Sequence, residues 1–276
     1  MMLFRRAAAL PATISAGGRI VPLVVVRAPR ARGLRLYADA TRGVLRLTLP
    51  PRGTLADARR LLDGHGDWIA AQVLRWPQPL PVLPGARVPF DGGVLAIEHR
   101  AGASRGVQRL GDRLIVGGDP AAVPGRVLRW LRASALADLD PASRALASSI
   151  NCALAAVAVR DPAARWGSCI GGSAPRIGYS WRLIMAPGWV RHSVVAHEVA
   201  HLVHANHGPA FWRLAADLNG GDPATARAWL RRHGTALHWV GRVGDMVRVH
   251  DHSDDAAEQH REQDTGNSAV ARDADR

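Results

Sequence analysis

No lysine occurs among the 276 residues: all 36 basic side chains are arginine. That bias points to a GC-rich genome more than to a function. Cysteine is scarce as well. Cys152 and Cys169 cannot staple a chain of this size, which argues against a disulfide scaffold and suits a reducing compartment. Long apolar runs are missing. A stretch such as Val21-Pro22-Leu23-Val24-Val25-Val26 falls far short of the roughly 18 to 20 residues needed to span a bilayer, so no membrane partner is expected. Met1 to Ala16 offers only an Ala-rich stretch broken by Pro11, a poor export signal, and a cytoplasmic location is the default expectation. The chain also holds only four glutamates, a scarcity that matters below.

What is present is a globular composition. At 47% hydrophobic, 276 residues can build one sizeable core or two small ones. The charge is uneven: residues 251–276 hold eight acids and three arginines, so the rest carries 33 arginines against 15 acids. A body of net charge +18 attracts nucleic acid through its summed field, although charge spread over many segments more often marks a solvated surface. The acidic tail has almost no apolar content and is expected to be disordered.

Between residues 19 and 50, Ile20, Leu23, Val25, Leu34, Leu36, Val44, Leu45, Leu47 and Leu49 alternate with polar positions, as in short strands and hairpins. Helical spacing from Thr54 to Val73 predicts a helix or broken helix with Thr54 as N-cap. Five prolines between Trp76 and Pro89 mark a connection, followed by strands at 94–99 and 113–116. Val123 to Ile150 reads as helix, with a restart at Asp140-Pro141. Ala155 to Arg160 and Arg176 to Ile184 read as a hairpin around Gly171-Gly172-Ser173. These expectations divide the chain into an extension (1–18), a β-rich region (19–118), a helical domain of mixed α+β type (119–250) and the tail (251–276).

Within that third segment stands His197-Glu198-Val199-Ala200-His201, on a predicted helix from Pro187 to Ala205. Residues four apart stack one turn above the other, so two imidazoles can converge on one ion. Glu198 points away from His197 and suits a general base that deprotonates a zinc-bound water. Composition alone would produce the pattern in roughly 0.8% of shuffled chains. A catalytic zinc takes three protein ligands and keeps a position open. A downstream glutamate is excluded as the third, because none lies between Glu198 and Glu258. His204, His207, His233, His238, Asp217 and Asp222 remain. His204 sits a further turn along the same helix. His207 follows Asn206, a residue that tolerates the left-handed conformation, and precedes Gly208-Pro209, so the chain can turn there and return His207 to the metal. His207 is therefore the favoured third ligand, and structural roles are expected for His192, His233 and His238. Tyr179, His204 and Arg182 are candidates for stabilising a developing oxyanion. Trp166, Trp181, Phe211 and Trp212 are expected to form the core around the motif helix.

The run from His197 to Leu202 with Asn206-His207, Pro209 and Phe211-Trp212 resembles the YgjP-like metallopeptidase family, relatives of SprT-like and WLM-domain peptidases. Arg165-Trp166-Gly167-Ser168-Cys169 and Trp181-Arg182-Leu183 match two further motifs of that family in order, with a weaker similarity from about Arg27 to Trp68. Gly208 and Ser180 depart from it, standing where Ser and Asn are frequent. The resemblance implies a zincin-like α+β domain, whose motif helix is packed by a small sheet and preceded by a β-rich region. It further implies a zinc ion on three histidines and a peptide or protein substrate. Two alternatives stand beside it: from the charge, a non-enzymatic, zinc-stabilised nucleic-acid-binding module, and, as the resemblance to SprT-like proteins implies, a protease acting on DNA-associated proteins.

Overall fold

Gly17 and Gly18, both at positive φ (56° and 75°), close the first hairpin of the computed structural model, which describes residues 9–242. Two consecutive positive-φ residues match the right-handed twist of the strands they join, and glycine takes that conformation without a steric penalty. The hairpin pairs β1 (Thr13–Ala16) with β2 (Arg19–Arg27), so a strand lies inside the segment read as an N-terminal extension. With β3 (Arg35–Asp39) and β4 (Val44–Leu49) they form a sheet ordered β1-β2-β4-β3, in which only the β2–β4 pair is parallel. The inward residues are Val21 and Leu23 on β2 and Leu45, Leu47 and Leu49 on β4. Ile20 and Val25, read among the alternating apolar positions, are exposed at 48% and 39%.

The predicted helix of residues 54–73 is two helices, α1 (Leu55–Asp63) and α2 (Gly66–Leu74). Thr54 caps α1 as expected: its hydroxyl accepts from the Asp57 amide at 3.1 Å, while the Asp57 carboxylate accepts from the Thr54 amide at 3.2 Å. Ala58, Leu62, Ile69 and Val73 join the sheet in one core, completed by Trp76 and Trp239. The Trp239 indole donates to the Ala40 carbonyl at 2.8 Å, which satisfies its buried N–H. By contact these residues, 9–81 with 235–242, form one unit, and 82–234 form another.

The second unit begins with β5 (Arg87–Phe90), β6 (Gly93–His99), β7 (Val107–Leu110) and β8 (Arg113–Val116), ordered β5-β6-β8-β7 with β6–β8 parallel. This is the connectivity of the first sheet over again. The sequence reading grouped these strands with the N-terminal ones; by contact they belong with the motif-bearing unit. Next, α3 (Val123–Ser149) runs unbroken through Pro141, where a restart was expected. One ladder hydrogen bond is lost there, but Val127, Leu131, Ala135, Leu139 and Ser143 bury a continuous stripe on both sides of the proline.

The third sheet differs from the predicted hairpin. β9 (Ala156–Arg160) lies parallel to β11 (Arg176–Ser180), and the hairpin around the Gly171–Ser173 turn pairs β11 with β10 (Gly167–Ile170). The order is β10-β11-β9, and Trp181–Met185, whose first four residues read as strand, forms a 3-10 turn. Three helices complete the described chain: α4 (Gly188–Ala200), α5 (Pro209–Asn219) and α6 (Ala224–Leu237). Among the described residues the fold is α+β, six α-helices with three small sheets. The tail expected to be disordered lies outside the described residues.

Candidate metal centre

Helix α4 is buried along most of its length, from Val190 to Ala200, so the motif is held by packing on several sides. Its hydrogen-bond ladder ends earlier than predicted. Ala200 is the last helical residue, His201 caps the helix, and the His204 amide turns back to the Ala200 carbonyl at 3.0 Å. No left-handed residue is needed for the reversal. Asn206 is not at positive φ, contrary to expectation, and the tight turn is made by the Gly208 amide bonding the Asn206 carbonyl at 2.8 Å. Pro209 then opens α5, where its missing N–H costs nothing.

This reversal carries His207 back over the helix. Its Nε2 lies 3.1 Å from Nε2 of His197 and 3.1 Å from Nε2 of His201. Three nitrogens bound tetrahedrally to one divalent ion at about 2.0–2.1 Å sit roughly 3.3 Å apart, close to what is seen. The protons argue the same way. A single Nε2–H on His207 can serve one of the two neighbouring lone pairs, which leaves the other facing a lone pair or a proton. The His201 Nδ1–H donates to the His204 carbonyl at 3.0 Å, which turns the Nε2 lone pair toward the cluster. Burial, then the neighbouring imidazoles, push His197 down to about 3. Burial lowers His201 and His207 too. Neutral imidazoles with convergent lone pairs are a donor set that fits a divalent metal.

Of the four aromatic residues assigned to the core, Trp181 is buried as expected, while Phe211 and Trp212 also pack the cluster. Phe211 is fully buried, with its ring centroid 4.9, 4.5 and 4.6 Å from those of His197, His201 and His207. Trp212 stacks on His207 at 5.6 Å. Two further histidines are engaged away from the cluster: His192 bonds the Leu218 carbonyl at 3.2 Å and His233 packs on Trp229. His204 serves the cluster through its backbone carbonyl.

Glu198 is 6% exposed, and burial pushes its carboxyl up to about 8 against the opposing pull of the Arg165 guanidinium. Its immediate neighbour is backbone. A Cβ placed on Gly167 of β10 would lie 2.4 Å from the Glu198 Oε1 and 2.6 Å from its Cγ. The Glu198 side chain therefore occupies the space that any other residue at 167 would fill. Sequence reasoning singled out the motif around Gly167 but not this use of it; the clue was a glycine on a predicted motif with no turn to explain it.

Two candidate oxyanion helpers are engaged elsewhere. The buried Tyr179 hydroxyl pairs with the Ser143 hydroxyl at 2.9 Å, and burial raises its pKa. Arg182 forms a two-pronged pair with Asp161 at 2.7 and 3.1 Å and lies over the Trp181 ring. Cys169, near Glu198, is pushed up to about 11 by burial first and by Glu198 second. Its thiolate fraction at pH 7.5 is correspondingly small. Alkylation by iodoacetamide, followed by mass spectrometry, should be on the order of a hundredfold slower at Cys169 than at a free model thiol. Rates equal to those of the model thiol would show that the pocket does not shield it.

A model of the YgjP-like metallopeptidase domain matches residues 32–233. No curated protein and no solved structure matches.

Proposed function

The chain belongs to the YgjP-like metallopeptidase family, and from that premise we propose that it hydrolyses peptide bonds with zinc held by His197, His201 and His207 and with Glu198 as general base. The observation that carries this reading is the convergence of three imidazole nitrogens, from His197 on α4, His201 at its cap and His207 beyond it, with the buried Glu198 carboxyl next to His197 in the same helix. When bound, zinc polarises the scissile carbonyl and brings the pKa of its water near 7. Glu198 would accept the proton of the attacking water on its carboxylate and pass it to the leaving amine. A carboxyl whose burial lifts its pKa toward neutrality is suited to both halves of that exchange.

Gly167 seats Glu198 by leaving room for it. The same strand offers a place for substrate. β10 is an edge strand, paired with β11 on one side and with no strand on the other among the described residues. An extended peptide added to that edge is held by main-chain hydrogen bonds, which gives affinity with little sequence preference. We favour this enzymatic reading over a nucleic-acid-binding module because three neutral imidazoles converge as metal donors and the residue that follows His197 on α4 is a buried carboxyl.

The test is metal content set beside cleavage of an unfolded protein such as casein. The full chain should carry one zinc by elemental analysis and lose cleavage to a chelator, with recovery on adding zinc. His207→Ala, which removes the ligand outside the helix, should weaken zinc binding at least about a hundredfold. Full zinc occupancy in that variant would assign the third ligand elsewhere.

A further inference from the structure

Helices α5 and α6 and the turn between them line a groove of about 600 Å³, with Trp212, Asp217, Gly221, Asp222 and Arg227 among its walls. One charged group of this groove is tied to the metal cluster. The Arg227 guanidinium lies 4.5 Å from the centroid of the Trp212 ring, and Trp212 stacks on His207. Arg227 is exposed and makes no ion pair among the described residues, so its charge is not neutralised in place. The acids of the groove lack that connection. Asp222 is spent on the start of α6, where its Oδ1 accepts from the Ala224 amide at 2.8 Å, and Asp217 is exposed near the end of α5.

A guanidinium whose Cζ sits over an indole ring is pre-organised: its stem is held by the ring while N–H groups stay available for a two-pronged bond to a carboxylate. Building on the peptidase reading, we propose that Arg227 is the carboxylate-binding end of a substrate subsite, so that peptides with a carboxylate near the scissile bond are held in preference. The carboxylate has two sources, a chain terminus or an acidic side chain, and the groove is large enough for a few residues of either.

Binding is measured on the zinc-loaded full chain bearing Glu198→Gln, so that affinity is read without turnover. The probes are fluorescein-labelled alanine hexapeptides: one with a free C-terminal carboxylate, one amidated, and amidated versions with a single Glu or Gln. The expected preference of carboxylate over neutral peptide is about tenfold, the scale of one charge-assisted pair. Adding Arg227→Met, which keeps a stem over Trp212, should collapse that ratio to near one, and Arg227→Lys should restore part of it. Whether the C-terminal or the Glu probe carries the preference identifies the source. A ratio near one before Arg227 is changed, a ratio that survives Arg227→Met, or no binding of any probe overturns the subsite. Casein cleavage by the unmutated chain keeps the two readings apart: carboxylate-selective binding without cleavage sinks the peptidase, whereas cleavage without selectivity sinks the subsite.

Discussion

Glu198→Gln is expected to bind one zinc per chain, as is expected of the parent, and to cleave casein between about 100-fold and 10,000-fold more slowly, the range associated with loss of a positioned proton acceptor. The substitution keeps the shape of a side chain that is 6% exposed and pressed against the Gly167 backbone, so repacking is not required. What it removes is the ability to take a proton. The three histidines, which present their own lone pairs, are untouched. Stability gives an independent check with a definite sign. The Glu198 carboxyl is raised from 4.5 to about 8 on folding. Stability from this group is thus full below about pH 4.5 and lost as the pH rises through 8. In chelator-treated protein the Gln variant should melt higher than the parent at pH 9, and the gap should close toward pH 5. Equal cleavage rates, or a gap that widens at low pH, would contradict the assignment.

Gly167→Ala is expected to lower kcat by about 100-fold while leaving zinc content unchanged, an effect of the size seen when a reacting group is misplaced by an ångström. The added methyl would fall 2.4 Å from Oε1 and 2.7 Å from the carboxyl carbon, well inside contact distance. The atoms it meets belong to a side chain, which can swing away more cheaply than strand β10 can. The loss should therefore appear in turnover and only weakly in the melting temperature. Gly178→Ala is the matched control: it lies on the neighbouring strand and meets only the Ser168 hydroxyl oxygen, at 3.3 Å. Comparable kcat losses in both variants, or retention of more than a third of the parent kcat by Gly167→Ala, would remove the seat argument.

How legible this was depended on the range over which each feature is decided. The motif helix and the α1 cap are local, so the i, i+4 spacing of His197 and His201 and the Thr54 N-cap could be read from adjacent residues. The α+β class followed from the same periodicities. Strand pairing is not local. Nothing in Ala156 to Arg160 distinguishes a parallel neighbour of β11 from a hairpin partner, and β10 was hidden because its four residues, Gly167 to Ile170, show no alternation. Pro141 misled for the opposite reason: a local penalty was outweighed by the buried stripe of α3.

The site divides in the same way. His207 was reached from chain reversal near Gly208-Pro209, although the turn is built without the left-handed Asn206 that the argument invoked. The engagement of Tyr179 by Ser143 and of Arg182 by Asp161 spans 36 and 21 residues and has no trace in spacing. Arg227 is a similar case. One arginine among 36 gains meaning only when Trp212 is seen beneath it.

The account's central claim is that three histidines hold a zinc ion with one position left for water. X-ray absorption at the zinc edge of the full-length chain tests it most directly. Three imidazole nitrogens and one further oxygen at about 2.0–2.1 Å are predicted, the oxygen exchangeable for an added inhibitory anion. A sulfur in the shell, or a closed shell of four protein ligands that no added anion alters, would contradict it.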